Sequence, residues 1–180
     1  MTNQPNKFSA ISIVPANNDD LLPILSLFDE TVVWLNQRGL AGQWGTEPFS
    51  TSAKTRERFM GWIEHGAMFV ARYQAGIVGT LVLNPTAPRY IADRWEHFPT
   101  SAFYLEAFVT ARTLLYQGLG HALLQWAEQH ARAVGKVTLW LDCWAENTAL
   151  VHYYKEAGFT PRGEFGNATW RGQLFEKSLI

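Results

Sequence analysis

Cysteine occurs once in the 180 residues, at Cys143, so an internal disulfide and a cysteine-based zinc cluster are both excluded. An excess of one charge is also missing: fifteen basic residues stand against sixteen acidic ones, for a net charge of -1. There is no basic run or interleaved aromatic stripe of the kind nucleic-acid binders use, and nucleic acid is not expected as a partner. No segment approaches the roughly 20 apolar residues of a membrane span. The longest early apolar run, LLPILSLF, follows Asp19 and Asp20 rather than basic residues, so neither signal peptide nor membrane anchor is expected, and the location is expected to be cytoplasmic. Repeats and low-complexity tracts are absent. No pair among the five histidines has the spacing and setting of a metal site, so no metal is expected.

What remains is a hydrophobic content of 47%, ample for one domain spanning 1–180. FSAISIV reads as a first strand. Asp19 and Asp20 then open a helix whose Leu21, Ile24, Leu25, Phe28, Val32 and Leu35 share a face, with Gly39 capping its end. A second helix is predicted around Thr55 to His65, and MFVARY and IVGTLVL form a hairpin around Gln74, Ala75 and Gly76. The most irregular stretch, Asn84 to Thr100, carries prolines at 85, 88 and 99 and is suited to a flap. FYLEAFV is a strand ending near Val109, and VTLWLDC alternates Val137, Leu139 and Leu141 with Thr138, Trp140 and Asp142. Between them, Leu119, Ala122, Leu123, Trp126, Ala127, His130, Ala131 and Val134 recur at helical spacing, leaving His121, Gln125, Glu128, Gln129 and Arg132 on the wet face. Two strands near Phe159 to Phe165 and Trp170 to Leu179 close the order. The class is α/β, a mixed and mostly antiparallel sheet of about seven strands with helices on both faces.

The segment YQGLGHALLQWAEQHA places Gly118 and Gly120 directly before that long helix. The amides of Leu119, Gly120 and His121 lie at a helix N-terminus, where the dipole and unbonded N–H groups attract anions. A kinase-type P-loop would need Lys and Ser/Thr where the chain has His121 and Ala122, and a dinucleotide fingerprint would need glycine at Leu123. A tight turn and nothing more is the alternative.

Gly118 and Gly120, Asn147, Tyr154, and Gly158 with Phe159 together resemble the two signatures of the GNAT superfamily of acyl-CoA-dependent N-acetyltransferases, over roughly Phe103 to Leu179. One position departs: the Arg or Gln that usually opens the first signature is Leu115 here, leaving Gln117 or Arg112 to supply a polar contact. The resemblance implies acetyl-CoA as cosubstrate, its pyrophosphate on Leu115, Tyr116, Gln117, Gly118, Leu119, Gly120 and His121. It also implies a sheet splayed between strands 4 and 5, with the pantetheine arm on the edge Phe108, Val109 and Thr110. Asn147 caps the following helix or meets the pantetheine.

The implied reaction is direct attack of an amine on the thioester, and an alkylamine with a pKa of about 10.4 must first lose a proton. Glu106 is the candidate base, because strand alternation puts it on one face with Tyr104, Phe108 and Thr110. Its other reading is a partner for a basic residue or a solvated edge carboxylate. Tyr154 is, by resemblance, the donor to the departing thiolate; its other reading is a buried aromatic with a satisfied hydroxyl. Trp34, Trp44 and Trp144, with Tyr104, are candidates for the acceptor site, and Trp95 is a further aromatic, with Glu47, Asp93 or Glu96 as a counter-charge. The implied function is acetyl transfer from acetyl-CoA to a small-molecule primary amine in a ternary complex. The alternatives are a non-catalytic acyl-CoA sensor and an acetyltransferase of protein amines. Pairing into a homodimer is compatible with this fold.

Overall fold

Asn17 starts the first helical segment. Its side chain accepts from the Asp19 amide at 2.9 Å, and the Asp20 carboxylate accepts from the Asn17 amide at 2.8 Å. This reciprocal cap turns an acidic pair into a helix start. The same Asp20 takes Arg72 at 2.7 Å, so a cap and an ion pair tie the helix to the sheet. Helix α1 (Leu21–Asn36) ends where the Leu40 amide reaches back over Gly39 to the Leu35 carbonyl at 3.0 Å. Ser52 caps α2 (Ala53–Glu64) through the Thr55 amide at 3.1 Å.

The computed structural model describes residues 8, 10–94, 98–113 and 116–180. Strand β1 is Ser12–Pro15, so it begins later than FSAISIV suggested. Strands β2 (Met68–Tyr73) and β3 (Gly76–Asn84) flank a tight turn with Gln74 at φ 52°. Among the described residues, the irregular stretch after β3 contains one short helix, α3 (Arg89–Ala92). Then follow β4 (Ala102–Thr110), α4 (Leu119–Ala133), β5 (Thr138–Trp144), α5 (Thr148–Glu156), β6 (Thr160–Gly166) and β7 (Arg171–Ser178). The strands form one seven-stranded mixed sheet in the order β1-β2-β3-β4-β5-β7-β6, flanked by helices. Only the β4–β5 contact is parallel among the pairings described, as a strand–helix–strand crossover requires.

Two compact units emerge from the contacts. The first is Met1–Trp34, Glu47–Val82 and Ala107–Leu124; the second is Leu35–Thr46, Leu83–Glu106 and Gln125–Ile180. In the first, Phe28, Phe49 and Phe59 interlock with centroids 5.0 to 6.1 Å apart. In the second, Ile91, Tyr104, Phe165 and Leu174 form one buried cluster, and the Tyr154 ring packs on Phe159 and Phe175.

Along α4, Leu119, Leu123, Leu124, Ala127 and Ala131 are buried. Two expectations for this helix change. Val134, assigned to the apolar face, is 53% exposed. Glu128, assigned to the wet face, is shielded because Lys177 reaches it at 2.5 Å and Arg132 at 3.7 Å. Periodicity sees the angle of a residue around the helix axis, whereas β7 supplies a lysine that makes the carboxylate worth burying.

Strand β4 departs from simple alternation. Tyr104 and Leu105 are both buried, Glu106 to Phe108 are all half-buried, and Ala107 adopts a left-handed φ of 47°. The Thr80 hydroxyl donates to the Ala107 carbonyl at 2.7 Å, holding this bulge in place. The parallel ladder to β5 runs from Ala102↔Thr138 to Tyr104↔Trp140, and β5 continues beyond it paired to β7 as far as Trp144↔Gly172.

Candidate active site

In the first unit, Gly118 has φ +91°, a conformation that L side chains rarely adopt. A Cβ there would meet the Phe8 ring only at an ordinary 3.8 Å, so the backbone angle, not space, calls for glycine. The first bond of α4 runs from the Ala122 amide to the Gly118 carbonyl, placing Leu119, Gly120 and His121 in the opening turn whose amides precede the helical ladder. This is a donor set suited to a pyrophosphate. Tyr116 packs edge-on to Tyr73, Gln117 and His121 are exposed, and Leu119 is buried as an anchor for the turn. Leu115 lies outside the described residues, as do Trp95 and Glu96. Phe108 and Thr110 are half-buried, and Val109 is buried.

Trp34 belongs to this first unit, and its ring is covered by the Arg112 guanidinium at 4.6 Å. Trp44, Trp144 and Tyr104 belong to the second. There the Trp144 indole lies so close to Gly42 that a Cβ on Gly42 would come within 2.3 Å of it. The Trp144 amide donates to Gln43 Oε1 at 3.3 Å, and Trp170 Nε1 donates to the Gly42 carbonyl at 2.7 Å. Two tryptophans thus pin the loop after α1.

Also in the second unit, the Asn84 side-chain amide donates to Glu106. The bulge at Ala107 overturns the alternation that placed Glu106 on one face with Phe108 and Thr110, because one left-handed residue interrupts the two-residue period. Glu106 keeps its association with Tyr104: its charge acts on the hydroxyls of both Tyr104 and Tyr90. Those two hydroxyls converge on a residue that sequence reading left out. Tyr104 Oη donates to Asp142 Oδ1 at 2.6 Å, and Tyr90 Oη donates to the same oxygen at 3.0 Å. Burial raises the Asp142 carboxyl above the ordinary carboxylate range, with the tyrosine bonds opposing the shift. Burial, followed by the Asp142 charge, raises both tyrosines well above their usual value, so they stay protonated donors. The neighbouring Cys143 is buried and its thiol is pushed up to about 12, which makes it a poor nucleophile. The available signal for Asp142 was its position: alternation in LWLDCW puts it on the face of Trp140 and Trp144, an unusual companion set for a solvated carboxylate.

Tyr154 lies on α5 with 5% of its surface exposed, also in contact with Tyr153. Asn147 is buried and caps α5 by accepting from the Leu150 amide at 3.2 Å. The Phe159 amide closes the far end of α5 on the Tyr154 carbonyl at 3.0 Å, with Gly158 at φ +87°. The spacing from Asn147 to Phe159 is therefore that of one helix capped at both ends.

A chain with this sheet, a glycine turn opening the helix between its parallel strands and a second capped helix after them has the architecture of an acyl-transferring α/β enzyme. Residues 30–159 match the model of the acetyltransferase (GNAT) family, and the chain belongs to that family. It is 30% identical over 167 residues to the uncharacterized N-acetyltransferase YesJ of Bacillus subtilis (strain 168), covering 92% of this chain and 88% of that protein. A GNAT-family acetyltransferase of Listeria monocytogenes 4b F2365 superposes with a TM-score of 0.73 at 22% identity, over 93% of this chain and 94% of that one. The yncA protein of Salmonella typhimurium, solved with its cofactor acetyl-CoA, gives a TM-score of 0.67 at 17% identity, over 96% and 95% of the two chains. No helix among the described residues is long and apolar enough to cross a membrane.

Proposed function

We propose that this chain is an N-acetyltransferase that moves the acetyl group of acetyl-CoA to the primary amine of a small molecule by direct attack within a ternary complex. The observation that carries the reading is the left-handed Gly118 opening α4 in a chain of the GNAT family. The family match runs through both compact units, which supports reading residues 1–180 as one N-acetyltransferase domain.

In this reading the amides of Leu119, Gly120 and His121 hold the pyrophosphate, and Leu115, Tyr116 and Gln117 are assigned to the same cosubstrate from the sequence signature. The β4 edge Phe108, Val109 and Thr110 takes the pantetheine arm, and Asn147 stands at the head of α5. An ammonium with a pKa of about 10.4 is a poor nucleophile until it loses a proton, and Glu106 accepts that proton directly or through water. Nitrogen then attacks the thioester carbonyl, and the carbon–sulfur bond breaks. Tyr154 donates to the departing sulfur, whose thiol pKa of about 8.5 makes protonation favourable at neutral pH. Trp44, Trp144 and Tyr104 supply the aromatic surroundings of the acceptor. Trp34, the remaining candidate aromatic, lies under the Arg112 guanidinium at 4.6 Å.

The test is thermal unfolding with saturating acetyl-CoA and with adenosine as a control lacking the pyrophosphate and pantetheine. At a hundredfold excess over Kd, linkage gives about 2.7 kcal/mol, a midpoint rise of roughly 5 to 11 °C. A rise with acetyl-CoA alone, followed by amine-dependent thiol release, supports the reading. Binding with no thiol release from any amine would mark an acyl-CoA sensor, and competition by peptides would mark a protein acceptor. No shift at millimolar ligand would reject the function.

A further inference from the structure

Three shielded carboxylates in this chain have cations beside them. Asp20 has Arg72 at 2.7 Å, Glu128 has Lys177 at 2.5 Å, and Glu176 has Arg162 at 2.6 Å. Asp142 has none among the described residues, although burial disfavours its charge. Its two hydrogen bonds, from Tyr104 and Tyr90, both end on Oδ1, which leaves Oδ2 without a donor among the described residues. A carboxylate held in one orientation by two neutral donors is an arrangement completed by a cation from outside.

The surroundings identify what kind of cation. Tyr104 is fully buried and forms the floor, whereas Tyr90 is 48% exposed and stands at the rim, so the cluster reaches the surface on one side. The Tyr90 ring stacks on Phe165 at 5.8 Å and 24°, Phe165 meets Trp170 at 5.7 Å, and Phe98 lies against both Tyr104 and Trp140. Glu106 adds a second negative charge that both tyrosine hydroxyls feel. A hydrated metal ion would find only carboxylate and phenol oxygens among rings, a poor exchange for its water. An ammonium on an apolar body matches all of it, with the charge on Asp142 and the body against the rings.

We infer that Asp142, oriented by Tyr104 and Tyr90, is the acceptor-recognition residue, and that it selects a primary amine carried as an ammonium on an apolar body. This rests on the acetyltransferase reading and adds the substrate class to it. Asp142 binds the ammonium; Glu106, one residue before the bulge, takes the proton before attack.

Benzylamine and its uncharged counterpart benzyl alcohol test the inference. Binding to the acetyl-CoA complex is followed by tryptophan fluorescence, which reports on Trp140 and Trp170, and turnover is followed by thiol release. Benzylamine is expected to bind at least tenfold tighter than benzyl alcohol. Asp142→Asn, which keeps both tyrosine bonds, should remove that preference and raise the benzylamine KM at least tenfold, with the acetyl-CoA-dependent midpoint rise unchanged. Tyr90→Phe, at the exposed rim, should raise KM a few-fold and keep the preference. Equal affinity for amine and alcohol in the wild type, or an unchanged preference in Asp142→Asn, would overturn the inference while acetyl-CoA binding still stands. Failure of acetyl-CoA to bind the wild type would instead reject the function on which it rests.

Discussion

The two compact units offer a ligand opposite kinds of group. In the first, the features suited to a ligand are backbone: a left-handed Gly118, the opening amides of α4, and the β4 edge after the bulge. In the second they are side chains drawn from distant positions, Asn84, Tyr90, Tyr104, Glu106 and Asp142, joined by hydrogen bonds and shared charge. A backbone site tolerates nearly any side chain wherever the fold is kept, and the proposed cosubstrate site is of this kind. A side-chain site is specified residue by residue, and one altered group changes what it accepts. The first suits a cosubstrate common to many enzymes; the second suits a substrate particular to one.

Five changes would sharpen or break this division. The largest effect is expected from Glu106→Gln, which should lower kcat on the order of a hundredfold, most strongly at low pH, while the acetyl-CoA-induced midpoint rise persists. An unchanged pH–rate profile would remove Glu106 from the proton path. Next, Tyr154→Phe should cut kcat by roughly tenfold or more with acetyl-CoA affinity retained; equal turnover would return Tyr154 to a packing role with Phe159 and Phe175.

Gly118→Ala should weaken acetyl-CoA about tenfold, because a non-glycine residue at this φ costs roughly 1 to 2 kcal/mol. His121→Ala should change affinity less than about twofold, since its amide survives, as titration calorimetry can measure. A larger loss in the histidine variant would show that side chains, not backbone, hold the anion.

The smallest effect concerns stability. The Asp142 pKa is raised in the folded state, so its contribution is fully present below the unfolded carboxyl value, about 3.9, and is lost as pH rises through the folded value. Asp142→Asn should therefore gain stability relative to the wild type on going from about pH 4 to pH 8, as denaturant titrations at the two pH values would record. A gap between the two proteins that stays constant with pH would mean that solvent or a bound cation already compensates the carboxylate.

Much of the fold is legible in local pattern, because caps and turns are local devices. Asn17 with Asp20, Ser52, Gly39 and the hairpin turn at Gln74 each act within a few residues. Strand alternation failed in the middle of β4, where Thr80 from β3 holds the Ala107 bulge; no residue within FYLEAFV announces a partner so distant in sequence. The shielding of Glu128 was hidden for the same reason, since Lys177 lies far along the chain.

The candidate site divides similarly. Gly118, Asn147 and Gly158 were readable because a turn and a capped helix need particular residues at fixed spacing, whereas Tyr154 entered through the family resemblance alone. Asp142 was not, because in sequence it is one polar residue in an alternating strand. What the sequence by itself determined is the order of the elements, the glycine turn at α4 and the α5 frame, all of which depend on backbone conformation within one or two turns. Only the tertiary structure decided which side chains share a carboxylate, which strand bulges and which shielded carboxylate meets two neutral tyrosine donors. Those follow from residues far apart in the chain meeting where water is excluded, and there a missing partner matters most.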